Sequence, residues 1–155
     1  MTNDKANFLK KDFISYLRSL DSATPSSWGK MSMQQMIEHF TDNVKIASGK
    51  TSNTALLTPS DQLRKAQDFL MSDKPFRENT PNPLLPEVPP PVRNISIEEA
   101  LKELKKEMDF FFSIFKENNQ QQTLNPFFGE LNFEQNVQLL HKHALHHLRQ
   151  FGVKV

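Results

Sequence analysis

The sequence predicts an all-α fold: an antiparallel four-helix bundle with a long proline-rich crossover and one extra short helix. Three observations carry that expectation. Apolar residues recur at helical intervals in four separate stretches. Three of those stretches open with the spacing of a helix start, Ser32 with Gln35, Ser96 with Glu99 and Asn132 with Gln135. Seven of the ten prolines fall between Ser72 and Asn94, where they bar both a helix and a central strand. No convincing strand pair, repeat or glycine-rich phosphate loop is visible.

The first helix is expected from about Asn3 to Leu20, with Leu9, Phe13, Leu17 and Leu20 as its buried stripe. Asp21 to Lys30 reads as a loop in which Trp28 is a packing anchor. The second helix starts after Ser32 in a capping box and ends near Gly49, the residue type favoured just past a helix end. Its stripe is Met33, Ile37, Phe40 and Val44, with Met36, His39 and Asn43 on the flank. A shorter helix from Thr58 to about Met71, with Pro59 in its first turn, carries Leu63, Ala66 and Leu70.

The crossover that follows holds Phe76, Leu84, Leu85 and Val88, apolar enough to lie packed across the body. A segment that docks on a proline-motif receptor is the functional alternative. Ser96 opens the longest helix, to about Asn118, with the seam Leu101, Leu104, Met108, Phe111 and Phe115. The run Phe110 to Phe112 reads as core packing and not as a cofactor box. Asn119 to Gln122 is a polar loop and Asn125 to Gly129 an apolar turn. In the last helix Phe133, Val137, Leu140, Ala144, Leu148 and Phe151 face the core.

A chain of 155 residues is expected to form one domain, 1–155, able to bury a core without disulfides or metal staples. Thirteen phenylalanines supply much of that core. A net charge of +1 argues against nucleic acid as a partner, because phosphate binding needs a concentrated basic face. Lys102, Lys105 and Lys106 are instead interleaved with Glu98, Glu99, Glu103 and Glu107, the pattern of a solvated helix surface. No stretch reads as a membrane span, and the N-terminus resembles neither a secretory signal nor a transit peptide. The expected setting is therefore the cytoplasm, with a small molecule as partner and a homodimer as an admissible assembly.

Four of the five histidines lie in the stretch His141 to His147, in a chain with no cysteine. His143 and His147, four apart on a helix, present both imidazoles to one point. His39, alone in the second helix, is the candidate third ligand. Neutral imidazole suits zinc, nickel, copper and iron. A solvated histidine-rich surface is the competing reading. A tag is disfavoured because Ala144, Leu145 and Leu148 keep the apolar pattern running, and a zinc-protease helix is disfavoured because Ala144 stands where its glutamate is needed. Asp42, one turn from His39, is a candidate to orient an imidazole.

Three pieces of the chain together resemble the DinB-like (YfiT-related) superfamily of four-helix metalloproteins, and within it an uncharacterised branch. They are Trp28-Gly-Lys-Met-Ser32, Gln35-Met-Ile-Glu-His39, and Pro126-Phe-Phe-Gly129 followed by His143-Ala-Leu-His-His147-Leu-Arg-Gln150. The resemblance spans nearly the whole chain. It implies metal ligation by His39, His143 and His147, with Gln150 at the place of the family's trailing glutamine. Many members have arginine-glycine before that glutamine, whereas this chain has Leu148-Arg149.

Characterised relatives in that superfamily include thiol-dependent S-transferases and a mycothiol-dependent isomerase, so the resemblance implies a metal-dependent transferase acting on a small molecule; hydrolysis is the related expectation, from a metal that lowers the pKa of bound water. The expected cofactors are a divalent ion, zinc or nickel, and a low-molecular-weight thiol. Three histidines would leave a coordination position for water or substrate. Asp42, His146 and Gln150 are the candidates to orient the ligands, and Trp28, Met36, Phe127 and Phe128 the candidate pocket walls. His141 is expected to remain outside the ligand set. A metal- or ligand-binding bundle without turnover is the alternative, and a metal-free bundle with a histidine-rich surface the third reading.

Overall fold

Capping, more than propensity, sets where the helices begin in the computed structural model, which describes residues 2–52, 55–79 and 88–155. The Ser32 hydroxyl accepts from the Gln35 backbone N–H at 3.2 Å, and the Gln35 side-chain Oε1 accepts from the Ser32 N–H at 2.8 Å. That reciprocal box opens α3, Met33–Ala47. Asn132 and Gln135 form the same box at 2.9 and 3.0 Å and open α6, Phe133–Gln150. Ser96 caps α5, Ile97–Glu117, by accepting from the Glu99 N–H at 3.1 Å. There the box is half made, because the Glu99 carboxylate turns out to Lys102 at 3.1 Å.

The N-terminal helical run is made of α1, Thr2–Asn7, a π-helical turn, Phe8–Asp12, and α2, Phe13–Ser19. Leu9, Phe13 and Leu17 are fully buried from it. α4 is Leu63–Met71. It begins later than the sequence predicts: Pro59 is extended, at ψ 143°, and a 3-10 turn, Ser60–Gln62, precedes the helix.

α3 packs most extensively on α5, and α6 lies against α1, α4 and α3. The expected stripes meet in one core that includes Phe13, Ile37, Phe40, Leu104, Phe111, Val137 and Leu148. Of the phenylalanine run in α5, Phe111 is buried, Phe112 packs on the core edge, and Phe110 is exposed with the Lys50 ammonium 4.8 Å over its ring. No helix among the described residues is long and apolar enough to cross a membrane.

The chain is predominantly helical but not wholly so. β1, Thr123–Asn125, pairs antiparallel with β2, Gly129–Leu131, correcting the expectation of no strands. Three-residue strands are too short to show an alternating pattern in the sequence. They form because the turn between them is held at both ends: Asn125 Oδ1 accepts from the N–H groups of Phe127 and Phe128 at 2.9 and 3.1 Å, and Gly129 takes φ +80°. Thr123 then ties the hairpin to the end of α3, donating to the Ala47 carbonyl at 2.8 Å.

Both described ends of the crossover are pinned. On one side Lys142 of α6 donates to the carbonyls of Ser72, at 2.8 Å, and Lys74, while Phe76 packs on Phe69 with ring centroids 5.8 Å apart. On the other, Glu38 of α3 accepts the backbone N–H groups of Arg93 and Asn94 at 2.8 and 2.9 Å. The expectation of packed apolar side chains holds for Phe76 and fails for Val88, which is 68% exposed. Leu84 and Leu85 lie outside the described residues.

Candidate metal centre

His39 comes from the middle of α3, and His143 and His147 from successive turns of α6. The packing of α3 on α6 brings the three rings together: centroids lie 5.2 Å apart for His39 and His143, 5.4 Å for His39 and His147, and 4.5 Å for His143 and His147. One nitrogen from each ring lies within 4.8 Å of the others, a donor set that could hold a metal ion. His147 is 5% exposed, while His39 and His143 are half-buried, so one side of the cluster is more open than the rest.

A chain of hydrogen bonds fixes the chemistry of His147. The Gln150 side-chain nitrogen donates to the Trp28 carbonyl at 2.9 Å, which orients the amide. Its oxygen therefore faces His147 Nδ1, at 2.7 Å, and a carbonyl can only accept. His147 must carry its proton on Nδ1, leaving the Nε2 lone pair aimed at the cluster. His143 Nε2 lies 2.7 Å from His147 Nε2 and, with His147 in this tautomer, is the donor of that pair. Metal-binding histidines are commonly held in this way, by an acceptor on the nitrogen that does not ligate.

Burial keeps all three imidazoles neutral. For His39 it lowers the pKa to about 4; the Asp42 charge opposes this and His146 adds to it. His147 is lowered to about 3, by burial and then by His39, against the raising effect of the Gln150 bond. His143 is held well below the ordinary 6.5 by burial, then by His147 and His39. Neutral imidazole is the ligating form, so the cluster is in the right protonation state at pH 7.

Asp42 does not hydrogen-bond to an imidazole: its carboxylate pairs with Arg93 at 3.1 Å. His146 turns aside from the triad, its ring 5.3 Å from Trp28 and 6.0 Å from Phe76. Its Nδ1 is buried without a hydrogen-bond partner among the described residues. His141 lies elsewhere on α6, edge-on to Phe8 at 5.2 Å. Met36 is fully buried in the core. Phe127 and Phe128 belong to the hairpin turn, their carbonyls held by Thr58 at 2.7 Å and Gln67 at 2.8 Å.

The aromatic neighbours of the triad are different ones. Phe40 lies 5.1 Å from His143, and Phe76 lies 6.2 Å away. Phe40 sits on the stripe already assigned to the core, so nothing in its spacing marked it, and Phe76 is brought in by the crossover. Glu38, next to His39, is 5% exposed and accepts four hydrogen bonds from Gln34, Arg93 and Asn94. Its partners on the crossover are 55 and 56 residues away, beyond any local pattern. No family model, characterised protein or solved structure matches the chain.

Proposed function

We propose that the chain is a metal-dependent enzyme of the DinB-like superfamily, a four-helix bundle that holds a divalent ion, zinc or nickel, on His39, His143 and His147 and acts on a small molecule. The observation that carries this reading is the convergence of three neutral imidazole nitrogens within 4.8 Å of one another. The donor set fits such an ion: imidazole is a borderline ligand matched to both metals, and three of them leave room for an exchangeable group. An ion bound there would supply Lewis-acid activation of a low-molecular-weight thiol for transfer, or of water for hydrolysis.

The chain's own residues prepare the site. Gln150 holds the proton of His147 on Nδ1, and the Trp28 carbonyl holds Gln150. His143 must give up its Nε2 proton, or move it to Nδ1, to present a lone pair. Phe40 and Phe76 wall His143 and keep bulk water from that face. Trp28, Phe76 and His146 form an aromatic flank beside the ligands, suited to a small apolar electrophile.

A cobalt-substituted protein tests the open position. Its visible spectrum is expected to change saturably on addition of a small thiol, and a panel of thiols with a generic electrophile should then reveal turnover. A spectrum indifferent to thiols and to imidazole would count against transfer and hydrolysis alike. A metal-binding bundle without turnover is the second reading, favoured by one feature: among the described residues no carboxylate hydrogen-bonds to any of the three rings, so the site has no evident general base.

A further inference from the structure

A second site lies on another face of α6. Gln138, His141, Lys142, Leu145 and Arg149 follow one another at helical spacing and line a cavity of about 150 Å³ closed by Lys5 of α1 and by residues 72–75 of the crossover. One water needs only roughly 10–15 Å³ of such space, so a polyatomic ligand fits.

The walls carry four cations, Lys5, Lys74, Lys142 and Arg149, against one carboxylate, Asp73. Among the described residues none of the four forms an ion pair. Lys142 is 6% exposed, yet its ammonium meets only neutral oxygens, the carbonyls of Ser72 and Lys74, and the face of Phe69 at 4.7 Å. Lys5 donates to the Gln138 side-chain carbonyl at 2.5 Å. An ammonium has three donors and a guanidinium five, so most of the donors around the cavity are uncommitted. Burying the Lys142 ammonium with only the exposed Asp73 as counter-charge is costly, and an anion in the cavity lowers that cost.

We propose that this pocket binds a phosphate group, free or carried on a small molecule. The excess of positive charge favours a dianion over a monocarboxylate, and Arg149 supplies a planar fork that matches phosphate oxygens. The wall is built from α1, α6 and the crossover, so an occupant also ties the crossover to the helices that flank it.

Titration calorimetry of the untagged full chain tests this, with inorganic phosphate, a simple phosphate monoester and acetate at constant ionic strength. Saturable phosphate binding is expected, with acetate at least tenfold weaker. Lys5→Gln and Arg149→Gln should each weaken phosphate at least tenfold while helical circular dichroism is unchanged, and Lys116→Gln, on α5, should not. Tighter binding of the monoester than of inorganic phosphate would identify a phosphorylated small molecule as the occupant, and the reverse order free phosphate. His39→Ala must retain the phosphate response, which separates this pocket from the metal centre. Equal phosphate binding by the wild type, Lys5→Gln and Arg149→Gln, or its loss in His39→Ala, overturns the proposal, as does the absence of saturable binding.

Discussion

Gln150 Oε1 lies 2.7 Å from His147 Nδ1 and, with the amide turned by the Trp28 carbonyl, fixes which nitrogen of His147 can ligate. Gln150→Leu removes the acceptor and frees the ring to take the other tautomer. Metal affinity is expected to fall by about 10–100-fold, the usual effect of losing such a partner. Competition with a chromophoric chelator measures it; an unchanged affinity would show that the bond does not set the tautomer.

Gly29 supports the same bond from behind. Its φ is +76°, and a Cβ there would stand 3.2 Å from the Gln150 amide nitrogen. Gly29→Ala should therefore cost about 1–2 kcal/mol for the left-handed backbone and also displace Gln150. Urea unfolding of the apo protein and metal titration of the same variant should both change. A stability loss with unaltered metal affinity would separate Gly29 from the site.

The three capped helix starts, the main buried stripes, the loop holding Trp28 and the histidine candidates were legible in the sequence because each is a local pattern, whereas the start of α4 was not. Capping boxes need residues three apart, and His143 and His147 need only four. What was not legible depends on contacts across the chain. Asp42 was a reasonable partner for His39 at three residues' distance, but Arg93, 51 residues on, takes it instead. The hairpin depends on an Asn125 side chain bonding to its own turn, and Phe76 meets the histidines from the start of the crossover, where Lys142 of α6 holds the carbonyls of Ser72 and Lys74.

Glu38 is the test of the fastening at the other end of the crossover. Burial raises its pKa, but the backbone bonds from Arg93 and Asn94 outweigh it and hold the carboxyl below 4.5. Glu38→Ala leaves those N–H groups without their charged acceptor and should cost roughly 3 kcal/mol. Proteolysis within the crossover should quicken at the same time. A variant as stable as the wild type and equally protected would mean that the crossover is held by other contacts.

Acid should destabilise the metal-free protein. The unfolded chain protonates its histidines near pH 6.5, whereas folded His39 and His147 resist protonation until about pH 4 and about pH 3. Between those values the unfolded state binds more protons, so stability falls as pH falls from about 6.5 towards 4. Glu38 and Glu103, both lowered, act in the same sense below 4.5. Proton competition for the triad is correspondingly weak, so metal occupancy should persist well below pH 6.5 and fail only as pH 4 is approached. Urea midpoints and metal content across pH 4–7 check both; release complete by pH 6 would contradict the neutral, buried triad.

Metal analysis of the untagged protein and four variants reaches the central claim most directly. The wild type should carry about one divalent ion per chain, and His39→Ala, His143→Ala and His147→Ala should each lose most of it, while His141→Ala, whose ring rests on Phe8, keeps it. Equal metal content in all four variants, or none in a wild type titrated with zinc and nickel, would contradict a three-histidine metal centre.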